Sequence, residues 1–296
     1  MSKHNKTGIQ YTLKELKSLV QKVCHFRQIS LYHNHFGPKI FTQHQHVALL
    51  ILYAKSGKSL RKFVSWLYES RWPEWLKLNE IPSKSTIHFH FERIGLTLLR
   101  VLNFVVSRIK KTLNYAIDST GIDASCASRH YTKRIERKNN DFLKVSILAS
   151  TQKPYLIDDF IAEYSRTNDV MHGKILCKRF NLKNKIIFGD KAYDCEELRQ
   201  IADDNSNLIY SPIRKSSRNR PGGRLRKKMF DTFCKKTYNR GRNPVEMIMF
   251  LFKNGGIVIR SKKRDNRIKE VGWKILAYNI QRLAQSLLKL LYFQTT

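Results

Sequence analysis

Three acidic residues stand out by what precedes them. Asp118 ends the apolar run Asn114-Tyr115-Ala116-Ile117 and is followed by Ser119-Thr120-Gly121. Asp190 ends Lys185-Ile186-Ile187-Phe188-Gly189 and is followed by Lys191-Ala192-Tyr193-Asp194. Each run reads as a buried strand that carries one carboxylate to its mouth, with a turn behind. Glu246 opens an apolar helical pattern after the most basic part of the chain. Two strand-end aspartates and a helical glutamate, in a chain of net charge +33, point to metal-dependent chemistry on nucleic acid. Carboxylate oxygens suit Mg²⁺, and two such ions about 3.5–4 Å apart can serve both the attacking and the leaving oxygen of a phosphodiester displacement. Each acid has a plainer reading beside this one. Asp118 and Asp190 can cap turns. Asn243-Pro244-Val245-Glu246 fits N-cap, N1, N2 and N3, so Glu246 also reads as a capping-box glutamate. Pro244 speaks against an unkinked helix from Tyr238 to Lys253. Ser119 and Thr120 are expected to serve the turn, Asp123 and Asp194 to be surface or cap residues. No Ser-His-Asp arrangement suggests itself.

The elements that must position these acids follow from periodicity. Apolar residues at three-to-four spacing predict one or two helices over Thr12–Phe36. Thr42 caps the next helix, Ser59 opens a third, and Ser83 leads a short basic helix whose first turn holds Lys84, Ser85 and Thr86. Helix, tight turn and Ser/Thr-led helix are the parts of a helix-turn-helix; an ordinary helical bundle fits the same pattern. His4, His88 and His90 read as surface or packing residues. Thr97–Ile109 is an apolar helix that leads into a second region. There, strands are expected over Asn114–Asp118, Phe142–Thr151, Leu156–Ser165, Lys185–Asp190 and Asn207–Ile213. Helices are expected over Asp169–Phe180 and Glu196–Asp203. That order, three strands, helix, strand, helix, strand, predicts an RNase H-like fold, a mixed sheet flanked by helices. In such a sheet the first and fourth strands are neighbours, which would bring Asp118 and Asp190 together. Beyond it, Val245–Phe252 is helical, Gly256–Arg260 a short strand and Lys269–Tyr292 a long amphipathic helix. The fold class is therefore α/β (α+β), with an all-helical DNA-binding region over 1–108. A catalytic domain spans 109–296, with a basic insertion at about 212–242.

Composition narrows the partner. The 296 residues include 56 Lys and Arg against 23 Asp and Glu, an excess that implies a polyanion. Residues 212–242 alone hold 12 Lys/Arg and one Asp. A nucleic acid is the expected partner. The five cysteines form no CxxC pair, so neither a zinc site nor a disulfide framework is indicated, and most read as buried thiols in a reducing cytoplasm. The first residues lack an apolar stretch, so no signal peptide is expected. No run approaches about 18 apolar residues, so no membrane span is expected.

On these residues the chain resembles the DDE-type insertion-sequence transposases of bacteria and archaea over roughly 40–290. The resemblance rests on Ala116-Ile117-Asp118-Ser119-Thr120, Phe188-Gly189-Asp190-Lys191-Ala192-Tyr193 and Tyr238…Arg242…Val245-Glu246…Lys253. In one large group of that family the third acid sits in a Tyr-Arg-Glu-Lys signature. Arg242 and Lys253 keep its spacing from Glu246, and Tyr238 lies one residue further out than usual. The resemblance implies that Asp118, Asp190 and Glu246 hold Mg²⁺, with Mn²⁺ able to substitute. The metals activate a water and then a DNA 3′-hydroxyl, with no covalent protein–DNA intermediate. It implies binding to terminal inverted repeats and target DNA, a homodimer in the DNA complex, and a nucleoid-associated place in a prokaryotic cytoplasm. Tyr238, Arg242 and Lys253 would contact DNA. Double-stranded DNA would be held by phosphate contacts from the basic stretches 129–144 and 214–242, with Arg214, Lys215, Arg218 and Arg220. Such contacts position without reading sequence. Two other classes fit the same residues: a different RNase H-like DNA nuclease, and an inactive transposase-derived DNA-binding protein.

Overall fold

The computed structural model describes residues 18, 20–22, 24–25, 28–32, 39–108, 112–123, 142–164, 167–214, 221–254 and 259–294. The chain divides into two compact units, one of Met1–Val106 with Arg260–Thr296 and one of Ser107–Ile259.

The first unit is helical: α1 Gln43–Ser56, α2 Leu60–Tyr68, α3 Trp72–Trp75, α4 Lys84–Arg93 and α5 Leu96–Ser107. Its starts are set by local chemistry that the sequence announces. The Thr42 hydroxyl accepts the Gln45 N–H at 3.1 Å while the Gln45 side chain accepts the Thr42 N–H at 2.8 Å. This reciprocal pairing satisfies two donors that a helix start leaves open. Ser59 and Ser83 cap α2 and α4 in the simpler way. Helix α1 is the centre of the unit: His44 and every residue from His46 to Leu52 are buried.

The second unit carries the sheet. Its elements are β1 Asn114–Asp123, β2 Phe142–Ser150, β3 Ile157–Glu163, α6 Asp169–Arg179, β4 Ile186–Phe188, a 3₁₀ turn over Lys191–Tyr193, α7 Glu196–Asp203, β5 Leu208–Tyr210, α8 Arg224–Thr232 and α9 Lys235–Asn254. The strand order is β3-β2-β1-β4-β5. β1 runs antiparallel to β2 and parallel to β4, and β4 runs parallel to β5. Side chains alternate between faces along a strand. Tyr115, Ile117, Ile187 and Ile209 therefore join Leu176 of α6 and Leu198 of α7 in one core. On the other face α9 crosses β1, β2 and β4.

Several expectations change here. β1 continues to Asp123, because Ser119 to Asp123 go on pairing with β2; Ser119-Thr120-Gly121 is strand and not a turn. The helix expected from Val245 instead begins at Lys235 and runs through Pro244 to Asn254. Glu246 thus sits in mid-helix and has no N-terminal N–H to cap. The long C-terminal helix, α10 Arg264–Gln294, clusters with the first unit and not with the sheet. It packs on α1 and joins α5 through an Asn279–Asn103 side-chain hydrogen bond of 2.7 Å. Most of 129–144, of Thr12–Phe36 and of the strand expected at Gly256–Arg260 lies outside the described residues. No helix among the described residues is long and apolar enough to cross a membrane.

Candidate active site

The parallel ladder between β1 and β4 ends at Ala116 opposite Phe188. Two residues past that rung, each segment carries its aspartate, so Asp118 and Asp190 leave the ladder at the same level. The Asp118 carboxylate accepts the Ser119 N–H at 2.9 Å. Asp190 caps the 3₁₀ turn, accepting the Ala192 N–H at 2.8 Å. Burial pushes the Asp118 carboxyl above the usual range. Arg242 and the Ser119 N–H oppose that rise, and the charges of Asp190 and Glu246 add to it.

Helix α9 delivers the rest. At Gly241 the helix lies so close to the sheet that a Cβ would fall well inside van der Waals contact of the Phe188 ring. That approach places Arg242 over β1. Its Nη1 and Nη2 each lie 3.4 Å from one oxygen of Asp118. Nη1 also lies 3.9 Å from Glu246, one helical turn further on. One guanidinium thus stands between two of the three acids. Burial raises the Tyr238 phenol while Arg242, hydrogen-bonded to it, lowers it. The charges of Asp190 and Glu246 act on both Tyr238 and Arg242, so all five residues share one neighbourhood. The Glu246 side chain is 66% exposed, and Lys253 is exposed two turns beyond it. Among the described residues no group of three or more His, Cys, Asp or Glu stands ready to hold a metal ion.

The other expected contacts divide. Lys215, Arg218 and Arg220 lie outside the described residues. Arg214 is held by the protein: its guanidinium donates to the Lys191 and Ala192 carbonyls, both at 2.7 Å. Its N–H donates to Asp194 at 2.8 Å. Asp194, expected as a surface or cap residue, stands at the end of the 3₁₀ turn and is not at the surface: its side chain is fully buried between Arg199 and Arg226. Burial alone would raise its carboxyl, but Arg226, the Arg214 N–H and Arg199 hold it below the usual range. Glu196 accepts the N–H groups of Leu225 and Arg226, both at 2.9 Å. The segment from Lys191 to Glu196 therefore holds Arg214 on one side and Leu225 and Arg226 on the other. Lys84 and Ser85 are exposed on α4, while the Thr86 hydroxyl pairs with Ser83 at 2.9 Å.

Sequence reasoning missed a polar row behind Asp118 in which Ser146, His172 and Tyr193 are buried. Glu163, His172, Ser146, Ser119 and Tyr193 are joined by successive hydrogen bonds. They come from β3, α6, β2, β1 and the 3₁₀ turn, so no local spacing links them. The one available signal was a Ser at the same parity as apolar Ile117 in β1 and Leu148 in β2.

No family model matches the chain, and no match was found among the curated proteins. Among solved structures the chain is similar to a piggyBac transposase, seen by cryo-EM in its synaptic complex with hairpin DNA. The identity is 11%, over 93% of this chain and 75% of that one, with a TM-score of 0.45.

Proposed function

We propose that the chain is a DDE-type transposase of an insertion sequence, which cleaves DNA at the element's terminal inverted repeats and joins it to target DNA. The observation that carries this reading is the placement of Asp118 and Asp190 two residues past the last β1–β4 rung, on the face crossed by Arg242 and Glu246. The strand order β3-β2-β1-β4-β5, antiparallel on one side of β1 and parallel on the other, supports an RNase H-like catalytic unit. The net charge of +33 supports a polyanionic partner.

Asp118 and Asp190 offer carboxylate oxygens at one level and would hold Mg²⁺ or Mn²⁺, with Glu246 beside Arg242 completing the set. Bound metal supplies the charge that activates a water or a DNA 3′-hydroxyl for in-line attack on phosphorus. The chain's own part is to place and neutralise. Arg242 offsets negative charge beside Asp118. Tyr238, Lys253 and the exposed Lys235, Lys236 and Arg240 would line the path of the phosphate backbone along α9. The first unit would read the repeats through α4, and two copies would bridge two DNA ends in a prokaryotic nucleoid.

The test is nicking and strand joining on DNA carrying the inverted repeats that flank the gene, with and without Mg²⁺. Asp118→Asn, Asp190→Asn and Glu246→Gln are each expected to abolish both reactions and keep DNA binding. Cleavage that survives all three substitutions overturns the reading. Cleavage without joining identifies a nuclease of the same fold, and binding without cleavage an inactive derivative.

A further inference from the structure

Ser119 points to the sheet face opposite Asp118, because neighbouring residues of a strand alternate. There its hydroxyl meets Ser146 Oγ at 2.6 Å and Tyr193 OH at 2.9 Å. Ser146 Oγ meets His172 Nδ1 at 2.6 Å, and His172 Nε2 meets Glu163 Oε1 at 2.6 Å. Glu, His and Ser in this connection resemble a nucleophilic triad. Ser146 is 0% exposed, however, and no substrate reaches it.

The row has a consistent direction. With one ring proton on His172, at Nε2 facing Glu163, Nδ1 accepts from Ser146, Ser146 accepts from Ser119, and Ser119 accepts from Tyr193. Burial pushes the Tyr193 phenol up, so it stays a donor. Every hydroxyl then has its partner, which is the condition under which a polar network with a buried middle stiffens a core. Its ends matter most. Ser119 adjoins Asp118, and Tyr193 follows Asp190 by three positions. The Ser119–Tyr193 bond therefore cross-links the two aspartate segments just where their backbone ladder has stopped. Helix α6 supplies the pin twice over. His172 reaches Ser146, and at Gly173 a Cβ would stand 3.0 Å from the Tyr193 ring, so helix and ring pack without a gap.

We propose that Glu163, His172, Ser146, Ser119 and Tyr193 form a positioning network that sets the separation of the Asp118 and Asp190 carboxylates for divalent-cation binding. This rests on the reading of those two aspartates as cation ligands. Partners behind metal ligands typically change affinity about 10–100-fold when removed.

The test titrates Mn²⁺ into the full-length protein, by electron paramagnetic resonance of the free ion, for wild type, Ser119→Ala, Tyr193→Phe and Ser119→Thr. Thermal unfolding and DNA affinity are measured on the same samples. Cys177→Ala, a core change on α6 outside the row, serves as the stability control. Loss of either hydroxyl should weaken Mn²⁺ binding about tenfold or more with DNA affinity unchanged. Ser119→Thr, which keeps the hydroxyl, should recover most of it, and Cys177→Ala should leave it unmoved. Mn²⁺ binding within twofold of wild type in both Ser119→Ala and Tyr193→Phe overturns the proposal. So does an equal weakening in Cys177→Ala, which would assign the effect to packing. Asp118→Asn and Asp190→Asn separate the two readings. If they abolish Mn²⁺ binding and the hydroxyl variants do not alter it, only the network role fails. If they leave it intact, the ligand reading fails and the network role with it.

Discussion

Arg242 reaches Asp118 with both terminal nitrogens, each 3.4 Å from a different carboxylate oxygen. Arg242 is the largest influence opposing the burial that raises the Asp118 carboxyl. Removing the cation by Arg242→Gln therefore moves that carboxyl further up, and at any given pH less of it is ionised. If ionised Asp118 is needed for cleavage, the acid limb of the pH–rate profile shifts to higher pH in this variant. A limb at the wild-type position would show that Arg242 does not govern Asp118 ionisation.

Asp194 lies between Arg199, whose side chain is 3% exposed, and Arg226 at 21%. Asp194→Asn leaves a buried guanidinium without its counter-charge. Breaking such a pair from one side costs about 3–5 kcal/mol. Urea unfolding should register a loss of that order.

Gly241→Ala tests the approach of α9 to the sheet. In an open helix this change would stabilise by about 1 kcal/mol. Here the added methyl meets the Phe188 ring, and overpacking of this kind costs about 1–3 kcal/mol. Thermal unfolding should therefore show a net loss, and Phe188→Leu in the same chain should return part of it.

His46 stacks on His90 with ring centroids 3.2 Å apart. Burial, and then the charge of His90, lower its pKa to about 3 from an ordinary 6.5. The unfolded chain binds the proton first, so stability is full above about pH 6.5, declines by up to about 1.4 kcal/mol per pH unit below it, and levels off near pH 3. Asp158, raised to about 6 chiefly by burial, acts with the opposite sign, its stability being lost as pH rises toward 6. The clean measurement is thus the difference in unfolding free energy between wild type and His46→Phe. It should shrink steadily from pH 6.5 downward in favour of the variant; a flat difference would rule out His46 as the source.

The exposed cations Lys235, Lys236 and Arg240 of α9 are expected to meet phosphates. Each phosphate that is no longer neutralised takes about 0.9 from the slope of log K against log salt. Triple replacement by Gln should flatten the slope by about 2–3. Arg214→Gln should leave it nearly unchanged, since that side chain already serves the Lys191 and Ala192 carbonyls. Equal effects from both would place Arg214 on the DNA after all.

The strand order was legible because the strands are apolar runs, although β1 runs on through the Ser119-Thr120-Gly121 that reads as a turn; setting the Asp118 and Asp190 segments side by side needed only that order. What was illegible is instructive. Pro244 marked a helix start by local rules, yet it sits inside α9. There the burial of Val245, Ile248, Met249 and Phe252 outweighs one missing hydrogen bond. Asp194 and Arg199 gave no sign of burial, since charged residues are read as surface until a partner from elsewhere is known. The polar row from Glu163 to Tyr193 joins five elements, and only the folded sheet brings them together. The metal-ligand role of Asp118, Asp190 and Glu246 belongs to the proposed function, as do the DNA contacts.

The division of the chain has a temporal side. Helix α10 covers α1, yet it is synthesised after the whole of the sheet unit. On the ribosome, the face of α1 that α10 covers stays open while 153 residues, Ser107 to Ile259, emerge and can complete their own contiguous core. The unit encoded first is thus finished last. The emergence of α10, and not that of α4, sets the moment at which the helical unit reaches its final shape.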